Sequence, residues 1–210
     1  MHRTAGCILF VVVLAAMAFG QPPPIPVEPA PAPAGAPERT VLIYLPQQLF
    51  NEQEFDPALR RLSLAGVDTR LVAADSGVAV SMSQLVVSLD LALRDVNVAD
   101  FAGFVLIGGS GAAVYWDDSL LQAKCREFAD AGKVVAAIGI APVTLARAGV
   151  LKGRKATAFR DRTVVNWLRQ AGARYCFKGV VADRNIITAA SSEQARAFGQ
   201  SVADAVLRAR

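Results

Sequence analysis

The sequence predicts an α/β domain: a doubly wound, mostly parallel sheet flanked by helices, with a late β-hairpin. Three observations predict it. Short apolar runs alternate with segments of helical period, the signature of strand–helix–strand units. Two of these runs, Phe104 to Ile107 and Val134 to Ile138, end in glycine, at Gly108-Gly109-Ser110-Gly111 and at Gly139. Late in the chain, Asp183-Arg184-Asn185 separates two apolar stretches as a hairpin turn would.

The elements follow in order. Val41 to Leu45 is a short apolar run and reads as a buried first strand. Glu52 to Ala65 carries Phe55, Leu59, Leu62 and Leu64 and stops at Gly66, which predicts a helix. Val67 to Ala73 alternates as a second strand. Residues 75–100 are ambiguous: Ser76-Gly77 signals a turn, and Leu85 to Leu93 fits a strand or a helix. Phe104 to Ile107 is the third core strand, and Ser119 to Ala131 is a helix stopped by Gly132. Val134 to Ile138 is the fourth core strand, and Pro142 to Ala148 a short helix whose proline suits a first turn. Ala156 to Phe159 reads as a strand and Thr163 to Gln170 as a helix. Val180 to Asp183 and Ile186 to Ala189 form the hairpin, and Ser192 to Leu207 is an amphipathic closing helix. Both glycine turns then lie at carboxyl ends of strands, where such sheets bind ligands.

Outside this pattern stand two N-terminal segments. Residues 1–20 carry His2 and Arg3, an apolar run from Ile8 to Phe19, and Ala18-Phe19-Gly20. A charged start, an apolar core of about 7–15 residues and small residues at the end describe a secretory signal. A retained anchor is the other reading, although a span takes about 20 residues. Residues 21–39 are rich in proline and alanine and lack aromatic residues, the composition of an extended spacer. The fold is expected in residues 40–210, enough for one domain with a full core. The expected location is exported, periplasmic or extracellular, with membrane contact only through an uncleaved N-terminus.

The chain's 22 basic and 18 acidic residues give a formal charge of +4. Residues 1–20 contribute one arginine, so 21 against 18 leaves +3. The basic residues are scattered, which gives a nucleic-acid partner no footprint. Of three cysteines, Cys125 and Cys176 fall within the domain; they either pair or remain separate thiols. The single histidine is His2, so no Cys/His cluster has metal-ligand spacing and no cofactor is expected.

In this order the segments resemble the ThiJ/PfpI family, a branch of the flavodoxin-like, class I glutamine-amidotransferase-like fold. Phe104-Val-Leu-Ile-Gly-Gly109 is similar to its apolar strand ending in glycines. Gly132-Lys-Val-Val-Ala-Ala-Ile138 is similar to the strand entering its Ala-Ile-Cys-His-Gly-Pro elbow. Ala148 to Thr157 resembles the segment after the elbow helix, and Val181 to Ala189 its late hairpin. The resemblance implies a cysteine nucleophile at the elbow, a glutamate on the first strand–helix loop bonded to its sulfur, and backbone donors in the glycine turn for an oxyanion. It also implies homodimers.

The residues depart from that pattern. The cysteine position is Gly139, followed by Ile140 and Ala141. In the loop Phe50-Asn-Glu-Gln-Glu-Phe55, the sulfur-touching glutamate falls on Asn51, or on Glu52 with a one-residue shift, and Glu54 matches the second acidic position. Gly139 is then either a turn residue or the mark of a binding protein derived from an enzyme. The leading expectation is a domain without a catalytic residue that binds a small molecule or a partner beside Gly139, Ile140, Gly108, Gly109, Ser110, Asn51, Glu52 and Glu54. The alternative is a divergent hydrolase or glyoxalase-type lyase using Glu52, Glu54 or Ser110. It requires a desolvated carboxylate beside Gly139 that titrates near neutral pH. Ser110 has no histidine in the domain to act as its base. Tyr115-Trp116 reads as pocket lining or as packing, Asp117-Asp118 as a helix cap, Lys152 to Lys155 as a solvated loop, and Cys125 as a structural thiol.

Overall fold

The computed structural model describes residues 39–209. The expected signal and nearly all of the expected spacer lie outside them. The described chain runs β1 (Thr40–Tyr44), β2 (Gln48–Phe50), α1 (Glu52–Leu64), β3 (Asp68–Ala73), β4 (Val78–Ser81), β5 (Val86–Ser88), β6 (Leu91–Ala92), β7 (Gly103–Leu106), α2 (Ser119–Asp130), β8 (Val134–Ile138), α3 (Pro142–Arg147), β9 (Lys155–Ala156), α4 (Arg162–Gln170), β10 (Arg174–Tyr175), β11 (Val180–Asp183), β12 (Ile186–Ala189) and α5 (Ala195–Arg208).

Seven strands form the central sheet in the order β11-β12-β8-β7-β1-β3-β6. Every neighbouring pair is parallel except the β11–β12 hairpin. The switch in strand order falls between β1 and β7. Alternating side chains feed two cores. Leu42, Tyr44, Phe104, Leu106, Val135 and Ala137 pack with Leu121, Cys125 and Phe128 of α2 and with α3 and α4. Val41, Ile43, Val105, Ile107, Ala136 and Ile138 pack with Phe55 and Leu62 of α1 and Phe198 and Val202 of α5. These strands are buried on both faces, and so their sequences are continuously apolar rather than alternating.

The predicted class therefore holds, with local corrections. The ambiguous region contains neither one strand nor one helix. It holds β4 and β5, which join β2 in a small separate sheet, and β6, which edges the large one. The strand expected over Ala156 to Phe159 shrinks to Lys155–Ala156 and pairs with β10. The closing helix begins at Ala195, after a 3-10 turn over Ser192–Gln194. Elements of two or three residues are too short to show a period, which is why β2 and β10 left no pattern in the sequence and the bounds of β9 were not legible.

Candidate functional site

The site is built where β8 meets α3. All five residues of β8 are buried, and Gly139 follows with φ +66°. This left-handed backbone costs a side-chain-bearing residue about 1–2 kcal/mol. Both backbone groups of Gly139 are engaged: its N–H donates to Ala189 O at 3.1 Å, and its carbonyl accepts from Phe159 N–H at 2.8 Å. Pro142, three residues on, opens α3.

A second segment closes over this turn. Asn51 caps α1, its Oδ1 accepting from Gln53 N–H at 3.0 Å, and this places Glu54 in the third position of the helix. The Glu54 side chain points back toward β7 and β8 and is only 4% exposed. Its Oε2 accepts from Gly108 N–H at 2.9 Å, and its Oε1 accepts from Asn51 Nδ2 at 3.2 Å. A Cβ placed on Gly139 would overlap Glu54 Oε1 and stand 2.9 Å from its Cδ. A Cβ on Gly108 would come within 2.7 Å of Oε2 and 2.8 Å of Ile138 O. Gly109, at φ +105°, lies against the backbone of Leu49 to Asn51, and Asn51 N–H donates to Gly108 O at 3.1 Å. The glycines are thus required by close approach: the loop before α1 and the carboxyl of Glu54 occupy the space side chains would fill.

Burial sets the charge of this carboxyl. Desolvation raises Glu54 to about 7 from the ordinary 4.5, and the Gly108 N–H and Asn51 amide offset only part of the rise. Glu52 behaves oppositely. It turns toward Ser81 and Ser83, and its own backbone N–H is the main group holding it below the usual carboxylate range.

The structure brings together Asn51, Glu54, Gly108, Gly109 and Gly139. Ile140 follows the turn half-buried and packs against the core under α2, α3 and α4. Ser110 is exposed at the start of a 3-10 turn, and Glu52 does not reach Gly139. Two expectations are corrected. The glutamate beside the elbow is Glu54; Asn51 is the cap and its hydrogen-bond partner. The N–H of Gly108, expected as a donor to an oxyanion, is already given to Glu54. The pattern Asn51-x-x-Glu54 is a capping-box sequence, and that signal would have marked Glu54 as a third-position residue whose side chain folds back over the helix start.

Other candidates fall elsewhere. Cys125 and Cys176 are both free thiols. Cys125 is wholly buried, and burial pushes its thiol upward, which makes it inert. Tyr115 packs edge-on against Tyr44 at 5.8 Å, and Trp116 packs against the same core. Asp118 caps α2 through Leu121 N–H, whereas Asp117 pairs with Arg147. Lys152 is exposed, and Arg154 faces Asp183 at 3.6 Å.

The raised Glu54 value has a stability consequence with a definite sign. The fold favours the protonated form, so its contribution is complete below pH 4.5 and is lost as pH rises through about 7. The expected loss across this window is roughly 3 kcal/mol. Urea denaturation from pH 4.5 to 8 should show this decline, and Glu54→Gln should flatten it. An equal decline in the variant would assign it to another group.

Comparison with known proteins places this fold. An uncharacterized protein of Methanocaldococcus jannaschii is 36% identical over 169 residues, covering 80% of this chain and 82% of that protein. Deglycase PfpI of Pyrococcus furiosus is 29% identical over 151 residues, covering 70% and 87%. The crystal structure of a ThiJ/PfpI domain protein from Brachyspira murdochii superimposes with a TM-score of 0.79 at 25% identity, covering 82% of this chain and 98% of that one. The family model described as DJ-1/PfpI matches residues 39–205, and the chain belongs to the DJ-1/PfpI family.

Proposed function

We propose that this chain is an exported DJ-1/PfpI-family domain that binds a small molecule or a partner at the elbow beside Gly139 and performs no thiol chemistry there. One observation carries the reading: the Glu54 carboxyl fills the space over Gly139 and takes the Gly108 N–H. A nucleophilic side chain in that seat, which Gly139 does not supply, would need that space, and an oxyanion formed there would need that N–H. The composition of residues 1–39 supports export. Self-association belongs to the same reading, supported by exposed Val78, Met82, Leu85 and Val86 on and beside the small sheet. Light scattering should then give twice the protomer mass; a monomer at high concentration would remove that part.

The glyoxalase-type alternative makes methylglyoxal the substrate to test, and relatives named deglycases favour testing for an activity at all. Purified protein is expected to consume it no faster than buffer. A specific observation supports a second reading, in which Glu54 acts as a general acid or base: it is buried beside the turn and titrates at about 7. That reading predicts turnover with an inflection near pH 7, abolished by Glu54→Gln. Turnover of this kind would overturn the binding-only reading.

The seat itself can be probed by mutation. Gly139→Cys must adopt a left-handed backbone and displace Glu54, so it should destabilise the fold by roughly 2–3 kcal/mol. Adding Glu54→Ala removes the collision but not the backbone cost. The double variant should therefore be more stable than the sum of the single losses. Additive losses would mean that Glu54 does not occupy the seat.

A further inference from the structure

A groove of about 480 Å³ runs along the outer face of α1 and α5, bounded by Asp56, Pro57, Arg60, Arg61, Leu64 and Arg196. That volume falls in the range of small-molecule sites, about 300–1,000 Å³. None of these residues belongs to the elbow. Three arginines face one carboxylate, and both Asp56 oxygens bond Arg60 Nε, at 2.9 and 3.0 Å. Among the described residues, neither Arg61 nor Arg196 has a carboxylate partner within 4.0 Å.

Two features of this groove are unfavourable on their own. Arg61 Nε is buried without a hydrogen-bond partner among the described residues, an expensive state for a donor on a charged group. Arg196 stands in the first turn of α5, which contains no acidic residue, although a helix N-terminus disfavours cations. An anion in the groove neutralises Arg196 and offers acceptors to the outer Nη groups of Arg61, although the enclosed Nε stays out of its reach. Guanidinium groups match the oxygens of a phosphate in a bidentate fork. Leu64, 78% exposed at the edge of the groove, together with Pro57, supplies apolar surface for an aliphatic body.

We propose that the α1/α5 groove binds a phosphate monoester or diester with a short aliphatic portion, held by Arg60, Arg61 and Arg196. The phosphate comes either from a soluble molecule or from a lipid headgroup, and the test separates the two. Full-length protein is titrated calorimetrically with glycerol 3-phosphate and, as control, with glycerol. In parallel it is sedimented with phosphatidylglycerol vesicles and with phosphatidylcholine vesicles. Saturable binding of glycerol 3-phosphate but not glycerol is expected, weakened at least tenfold by Arg60→Gln combined with Arg196→Gln. Both side chains are exposed, so an unchanged circular dichroism spectrum checks that the variant folds. Binding confined to phosphatidylglycerol vesicles, and lost in the same variant, would assign the phosphate to a headgroup. Absence of saturable binding to both probes, or equal binding by the double variant, overturns the proposal. The elbow residues take no part, so this outcome is independent of the methylglyoxal result.

Discussion

A carboxyl group packed into backbone governs this domain's site. Glu54 touches three segments at once: the loop before α1 through Asn51, the turn after β7 through Gly108, and the turn after β8 at Gly139. The contacts at Gly108 and Gly139 require missing side chains, and so does the approach of the loop that carries Asn51. A Cβ on Gly108 or Gly139 would drive the carboxyl out, and a Cβ on Gly109 would push away the loop that carries it. The arrangement is costly, because burial disfavours the ionised form. It persists because two hydrogen bonds and the surrounding packing hold the group where water would otherwise solvate it.

The sheet makes this meeting possible. β1, β7 and β8 are parallel neighbours, so their carboxyl ends open at one edge. The order reverses beside β1, leaving the loops after β1 and β7 free to converge there. α1 leaves that edge and packs its buried stripe of Phe55, Ala58 and Leu62 on the sheet, and this anchoring fixes the helix phase that aims Glu54 inward.

Much of this was legible in the sequence where an element is long or its turn chemistry is strong. Val134 to Ile138 and both arms of the hairpin from Val180 to Ala189 were read with their observed bounds. The glycines at 108, 109 and 139 were read as site markers, although as donors or an empty seat. Their actual partner escaped because it depends on helix phase. A one-residue offset moves the expected glutamate position between Asn51 and Glu52, and apolar periodicity alone leaves that offset open. The Asn51 cap decides it. The small sheet escaped for another reason: its pairing joins β2 to β4 across α1 and β3, a contact without a local signature.

The charge state of Glu54 determines what the elbow can accept. Near neutral pH the buried carboxyl lies close to its midpoint, so its proton is held by a small free-energy difference. A cation brought beside Gly139 favours the ionised form and pulls the midpoint down; a neutral carbonyl or amide leaves it high and can accept the acid proton. A bound anion must pay for proximity to a carboxylate or arrive with the proton that neutralises it. On the proposed binding reading, the elbow would therefore discriminate by charge even though its two backbone groups at Gly139 are already satisfied. In the proposed α1/α5 groove, two guanidinium groups without carboxylate partners among the described residues would impose the opposite preference. α1 thus presents a titrating acid at its first turn and fixed cations farther along, and under the two proposals its ends would select different chemistry without needing to move.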